Sequence, residues 1–432
     1  MKSSAQLKDV TLKIGSGSTP RGGKGSYLSS GEINLIRSQN IYNHKFKRDG
    51  LAFISADQAE KLKNVEVFEN DILINITGDS IARNLVVYSD MLPARVNQHV
   101  AIIRCDTAQL DPYYLSAILT SQKMQNYLIS IGQVGATRAA LTKKMLEDIE
   151  IPVCSIEMQR EIGLLLKMLN EKIMLNIKII ETLEEIVASL FENWFVHFEF
   201  PDEDGNPYKS SGGKMVNSEL GEIPEGWEIR DINDISLKIS KGTTPTGEDL
   251  KSAIDKKKIY FIKVKDIQTD GCVKFNNVER IPESIHFNKL KRSILEEKDI
   301  LVSIAGTIGR ISYISDVYNG VNINQAIAFI RLKDSRKYFN FLLYYMKSSV
   351  FQNEMSSKVV QAVQANVSLS VIKTIRLVLP NDNNLKKYNE VIQPIVVKIE
   401  MLRNENETLI GIRDSLLPKL FSGEIELPIE EE

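Results

Sequence analysis

A chain of 432 residues with a net charge of −2, 43% apolar and 25% charged residues has the makeup of a folded globular protein. It exceeds one ordinary core of about 100–200 residues, so two or three domains are expected. Met1 to Val10 lacks the apolar core of a signal peptide and no run of about 18 apolar residues occurs, so neither secretion nor a membrane span is expected. Cys105, Cys154 and Cys272 form no Cys-x-x-Cys pair and sit near no His cluster, which argues against zinc and fits a reducing cytoplasm.

In chain order, Thr11-Leu12-Lys13-Ile14 leads into Gly17-Ser18-Thr19-Pro20 and then into a basic stretch. Between Arg21 and Arg48, six basic residues face a single acid, Glu32, whereas the chain ends in Glu430-Glu431-Glu432. Gly22-Gly23-Lys24-Gly25-Ser26 has the composition of a phosphate loop without its spacing, which argues against an NTPase. The β-branched runs at Asp71–Ile76 and Ala101–Arg104, bounded by Gly, Asn and Asp, read as strands. Asp111-Pro112 reads as a helix start, with Pro at the first turn and Tyr114, Leu115, Ile118 and Leu119 behind it. Its likeness to the Asp-Pro-Pro-Tyr signature of amino-methyltransferases lacks the second proline and a preceding glycine-rich cofactor loop. Asp202-Glu203-Asp204-Gly205 lacks the ligand spacing of a calcium loop, and four scattered His residues suggest no nucleophile and base.

These signals recur. Ser236-Leu237-Lys238-Ile239 with Gly242-Thr243-Thr244-Pro245 repeats the opening motif 225 residues later. Asp71 to Gly78 returns as Asp299 to Gly306, Val96-Asn97-Gln98 as Ile323-Asn324-Gln325, and Ile149 to Pro152 as Leu377 to Pro380. A duplicated module is therefore expected, each copy with strands before helices.

A long helical pattern follows each copy. Ile162, Leu166, Leu169, Ile173, Asn176, Ile180, Leu183, Val187, Leu190 and Trp194 step by four and three, as do Tyr388, Ile392, Ile395, Ile399, Leu402, Asn406, Leu409, Arg413, Leu416 and Leu420. Each seam carries one mid-seam asparagine, Asn176 or Asn406, expected to fix coiled-coil register at some cost in stability. The alternative is that each helix packs on its own domain. A helix of about 33 residues is roughly 50 Å long, a rod able to hold two modules apart. The polar, Gly/Pro-rich stretch from Phe200 to Gly213 reads as a linker.

Specific motifs lie around these elements. Trp194-Phe195-Val196-His197-Phe198-Glu199-Phe200-Pro201, Ser210-Ser211-Gly212-Gly213-Lys214-Met215, Leu220-Gly221-Glu222-Ile223-Pro224-Glu225-Gly226-Trp227 and the ending Ser415 to Ile425 occur in order. This set resembles the specificity subunits of type I restriction-modification systems along essentially the whole chain. The resemblance implies an α+β protein: two duplicated mixed α/β target-recognition domains separated by two long helices that form an antiparallel coiled coil. The corresponding boundaries are 1–154 and 226–383 for the domains, 155–198 and 384–422 for the helices, 199–225 for the linker and 423–432 for an acidic tail.

The resemblance further implies a non-catalytic chain that reads a bipartite asymmetric site in double-stranded DNA. It would dock two adenine-N6 methyltransferase subunits and the restriction subunits, and those partners, not this chain, would use S-adenosylmethionine, ATP and magnesium. Half-site centres would lie about 10–15 base pairs apart. Guanine edges call for Arg or Lys and adenine edges for Asn or Gln. The candidates are Arg21, Arg37, Gln39, Asn40, Arg83 and Arg138 in the first module and Lys241, Lys263, Lys265, Arg310 and Gln364 in the second. Asn97-Gln98 and Asn324-Gln325, being duplicated, are expected to hold a turn. An adaptor with two non-DNA-binding domains on a coiled-coil spacer is the rival reading.

Overall fold

The structure is a computed structural model describing residues 3–133, 139–253, 255–268, 270–273, 275, 278–361, 366–422 and 424–425. It divides into two compact units, unit 1 of residues 1–179 with 402–432 and unit 2 of residues 180–401. No helix among the described residues is long and apolar enough to cross a membrane.

Each unit is built on the same pairings. In unit 1 a four-stranded antiparallel sheet runs Thr11–Ser16, Val100–Cys105, Ile72–Asn75, Asn84–Val86; in unit 2 the order is Ser236–Lys241, Ile327–Leu332, Ile300–Ser303, Ile311–Tyr313. A second sheet places Ile33–Ile36 parallel to Ala94–Val96 and antiparallel to Ala52–Ile54, and its counterpart places Lys257–Ile262 parallel to Asn322–Ile323 and antiparallel to Glu279–Pro282. Strand residues such as Leu73 and Ile102 in unit 1 face the second sheet, while Ile72 and Ile103 face the helices, so the two faces feed separate cores. The motif Ile149–Pro152 and its copy are closing strands: Glu150–Val153 pairs with Ser3–Gln6, and Arg376–Leu379 with Glu228–Asp231. The order is thus not simply strands before helices, because each module's last strand returns to its first.

The duplicated Gly-x-Thr-Pro turn is dictated by close approach. A Cβ on Gly17 would lie 2.3 Å from the carbonyl oxygens of Val96 and Asn97, and one on Gly242 would lie 2.0 Å from that of Ile323. The facing turn is held as expected, with Asn97 Oδ1 accepting from His99 N and Asn324 Oδ1 from Ala326 N, both at 3.2 Å. Thr19 Oγ1 donates to Gln98 Oε1 at 3.2 Å, and Thr244 repeats the bond to Gln325.

A buried ion pair is also duplicated, between residues some thirty positions apart that no local motif couples. Arg104 grips Asp71 through Nε and Nη2 at 2.7 and 2.8 Å, and Arg331 grips Asp299 at 2.9 and 2.7 Å. The helix expected at Asp111 spans Pro112–Thr120, with Asp111 Oδ1 accepting from Tyr114 N at 2.8 Å.

The long helices span Ile156–Phe191 and Asp382–Ser422. Within unit 1 their segments run antiparallel, Asn170 meeting Arg413 and Asn176 meeting Asn406. Ile162, Leu166, Leu417 and Leu420 also join the core of unit 1, so pairing and packing on the domain coexist. In unit 2, Val187, Phe191, Tyr388, Ile392 and Val396 enter that unit's own core. Pro394 and Pro418 lie inside the second helix, which runs on through both. The stretch expected as a linker is ordered by aromatic packing: Phe200 stacks on Tyr208 at 4.5 Å and on Trp227 at 4.9 Å, and Met215–Ser218 pairs with Gly221–Pro224.

Candidate nucleic-acid interface

In both units the inner strand of the second sheet ends in the same turn. In unit 1 the backbone amide of Arg37 donates to Asn40 Oδ1 at 3.1 Å; in unit 2 that of Lys263 donates to Asp266 Oδ2 at 2.8 Å. Both Asn40 and Asp266 are buried. Asn40 also donates to Lys47 O at 2.9 Å, so its amide is engaged inside the fold. This corrects its assignment as a base reader: a short side chain that accepts from the amide three residues back builds the turn, and Asn and Asp do this equally well.

The turn brings its neighbours together on the outer side. In unit 1, Arg37 Nη2 and Gln39 Nε2 both donate to Gly50 O, at 2.5 and 3.1 Å, and the Arg37 guanidinium lies 5.4 Å from the Tyr27 ring. Gly50 has φ +67°, and a Cβ there would meet Gln39 Nε2 at 2.9 Å. In unit 2, Lys263 and Lys265 occupy the matching positions and converge on Glu279 Oε1 at 2.7 and 3.7 Å.

The duplicated arginines diverge. Arg83 lies 4.7 Å over the exposed ring of Tyr42, on the ribbon formed by Ile41–Tyr42 and Lys45–Phe46. Arg310 turns inward, donating through Nη1 to Val264 O at 3.3 Å and Ile267 O at 2.5 Å. The ring that holds Arg83 outward is Tyr42, whereas Gln268 follows Ile267 at the equivalent point. Arg310 is therefore placed as a brace of the turn; its Nε, like that of Arg37, is buried without a hydrogen-bond partner among the described residues.

Arg21 is exposed in the turn after Pro20, and Lys241 is exposed at the end of the edge strand Ser236–Lys241. Arg138 and Gln364 lie outside the described residues. Their described neighbours Ala140 and Asn366 make equivalent bridges to Thr77 and Ala305.

Two contributors had no sequence signal. His44, at the tip of the ribbon with φ +59°, approaches Asn170 Nδ2 through Nδ1 at 3.4 Å, and Arg413 Nη1 donates to Asn170 Oδ1 at 3.0 Å. Burial, with the Arg413 cation adding to it, holds the His44 imidazole down at about 3, so it stays neutral and can serve as an acceptor. Glu279 was likewise unforeseen, because a strand partner cannot be read from spacing alone. Among the described residues no group of His, Cys, Asp and Glu could hold a metal ion.

Across the helix seam of unit 1, Asn176 Nδ2 donates to Asn406 Oδ1 at 3.0 Å and to Glu405 Oε2 at 2.9 Å, and Lys172 Nζ lies 3.2 Å from Glu405 Oε1. The two mid-seam asparagines therefore face each other.

The chain is similar to several known proteins. It is 28% identical over 316 residues to the type I restriction enzyme MjaIX specificity subunit of Methanocaldococcus jannaschii, covering 72% of this chain and 68% of that protein. It is 22% identical over 446 residues to the HindI specificity subunit of Haemophilus influenzae, covering 91% of this chain and 94% of the relative. The crystal structure of the type I restriction-modification S subunit from M. genitalium shares the fold, with a TM-score of 0.58 at 14% identity over 98% of this chain and 96% of that one. The model of the type I restriction modification DNA specificity domain matches residues 3–185 and 224–409, one stretch for each copy of the module. With both matches together spanning most of its length, the chain belongs to the type I restriction-modification DNA specificity family.

Proposed function

We propose that each unit reads one half of a bipartite, asymmetric DNA site, and that the chain itself carries out no chemistry. The observation that supports this is one frame carrying different side chains. The turn is built alike by Asn40 and Asp266, yet it presents Arg37 and Gln39 in one unit and Lys263 and Lys265 in the other. A duplicated scaffold with unlike outward groups suits two unlike half-sites, since base edges are read by side chains and the frame is read by none.

Arg21, Arg37, Gln39 and Arg83 are the readers or phosphate contacts proposed for unit 1, and Lys241, Lys263 and Lys265 those for unit 2. Asn176 and Asn406 set the register of the helix pair, on which two adenine-N6 methyltransferase subunits and the restriction subunits dock. S-adenosylmethionine, ATP and magnesium are used by those partners. Because the net charge is −2, the methyltransferase subunits supply much of the phosphate contact, and the isolated chain binds DNA weakly. Tight specific binding by the isolated chain would refute that division of labour.

A genome-wide map of N6-methyladenine, compared between the source strain and one lacking only this gene, tests the reading. Loss of methylation at a single bipartite motif is the expected result. An unchanged map in a strain that expresses the methyltransferase partner would overturn it and favour the adaptor reading.

A further inference from the structure

The two copies of the turn tether their outward side chains to chemically different acceptors. Arg37 and Gln39 share a neutral carbonyl, Gly50 O. Lys263 and Lys265 share a carboxylate, that of Glu279, which is 53% exposed. Glu279 opens the strand that pairs with Lys257–Ile262, directly opposite Phe261; the matching pair in unit 1 is Leu35 with Ala52. A methyl group thus stands in one copy where a carboxylate stands in the other.

Stability does not account for the acid. Exposed ion pairs contribute little to stability, and unit 1 builds the same turn with alanine at that place. The Lys263 hydrogen bond, with the charge of Lys265, holds the Glu279 carboxyl below the usual carboxylate range, so it is ionised whenever DNA could bind. An ionised oxygen contacting two ammonium groups is what a DNA phosphate would also offer them, whereas a guanine edge offers the neutral acceptors O6 and N7.

We infer that Glu279 is a specificity-determining residue, an internal substitute for phosphate that occupies Lys263 and Lys265 until the correct half-site displaces it. A random duplex offers phosphates alone, an exchange of one anion for another with little gain. The correct site adds base contacts elsewhere in unit 2 that drive the lysines off the carboxylate. Unit 1, whose Arg37 bears on a neutral carbonyl, has no such brake. This inference rests on the DNA reading proposed above.

The test uses the chain assembled with its methyltransferase subunits, with fluorescently labelled duplexes carrying either the methylated motif or a scrambled sequence, between 50 and 200 mM KCl. Glu279→Gln is expected to tighten binding to the scrambled duplex about three- to tenfold, the release of two exposed ion pairs. It should also steepen the dependence of log affinity on log salt by about one or two, one phosphate for each lysine freed. The motif duplex should gain less, so discrimination falls. Glu279→Ala should behave alike, and both should melt with the parent. No change on the scrambled duplex, or equal tightening on both duplexes, overturns the inference. Lys263→Ala with Lys265→Ala separates the two layers: weaker binding from the lysine variants beside an inert Glu279→Gln sinks only the role of the carboxylate. Lysine and Arg37→Ala variants that bind both duplexes like the parent sink the DNA reading itself.

Discussion

Replacing Asn176 with leucine tests what the asparagine pair does. In the parent, Asn176 is fully buried and donates to Asn406 Oδ1 and Glu405 Oε2, while Asn406 Nδ2 donates to Ile173 O at 3.4 Å. Asn176 Oδ1 has no hydrogen-bond partner among the described residues, so the pair already carries one unsatisfied acceptor. Asn176→Leu forfeits two hydrogen bonds at about 0.5–1.5 kcal/mol each and strips Asn406 Oδ1 of its donor at about 1–3 kcal/mol. Burying a leucine returns about 1.5–3 kcal/mol, leaving a net loss of about 1–2 kcal/mol. The double variant Asn176→Leu with Asn406→Leu has no stranded amide and gains apolar burial twice, so it should equal or exceed the parent. Calorimetric melting of the parent, both single variants and the double variant closes the cycle, with a coupling of at least about 2 kcal/mol expected. Stability is only half of the reasoning. Cysteines replacing Lys172 and Glu405, whose side chains meet in the parent, should crosslink as a single species, whereas in the double-leucine background crosslinks one turn away, from position 172 to positions 402 or 409, should appear. A double variant destabilised by the sum of the singles, or one that keeps a single crosslink, would refute the register role.

Other outcomes follow from the same structure. Arg104→Met and Arg331→Met each leave a buried aspartate without its partner and should cost about 3–5 kcal/mol in urea unfolding. Burial already pushes the Asp299 carboxyl up against the pull of Arg331, so the Arg331→Met deficit should shrink as pH falls and Asp299 takes up a proton; a deficit independent of pH would contradict this. His44 is held near 3 in the fold against about 6.5 unfolded, so the unfolded chain binds more protons between those values. Its contribution is whole above about pH 6.5 and is lost at about 1.4 kcal/mol per pH unit as pH falls toward 3. His44→Asn, which tolerates the positive φ, should remove that slope from a series of melting curves. Gly17→Ala and Gly242→Ala should each unfold or distort their own unit by forcing Cβ against backbone carbonyls, which circular dichroism melts would show. Arg37→Ala should relax methylation at one half of the motif and leave the other half as stringent as before.

What the sequence disclosed was repetition and period. The motifs at Asp71 and Asp299, or Val96 and Ile323, fall on equivalent strands because pairing partners and buried faces constrain them alike. The helix seams were legible because a four-three step is local. Side-chain orientation was not. Arg83 and Arg310 match in sequence, but one lies over Tyr42 and the other braces carbonyls, a difference set by a residue some forty positions upstream. Asn40 has the chemistry of an adenine reader and is spent on its own turn. The stretch around Phe200 reads as linker by its glycines and acids, yet Phe200 and Trp227 are buried in the main core of unit 2, with Tyr208 packed against it.

The first and last strands of each module are hydrogen-bonded to each other, Ser3–Gln6 to Glu150–Val153 and Glu228–Asp231 to Arg376–Leu379. The chain therefore enters and leaves each module at one doorway. What lies between those two strands can be exchanged as a cassette provided that the incoming piece ends in a compatible strand pair and keeps the apolar surface on which the long helices pack.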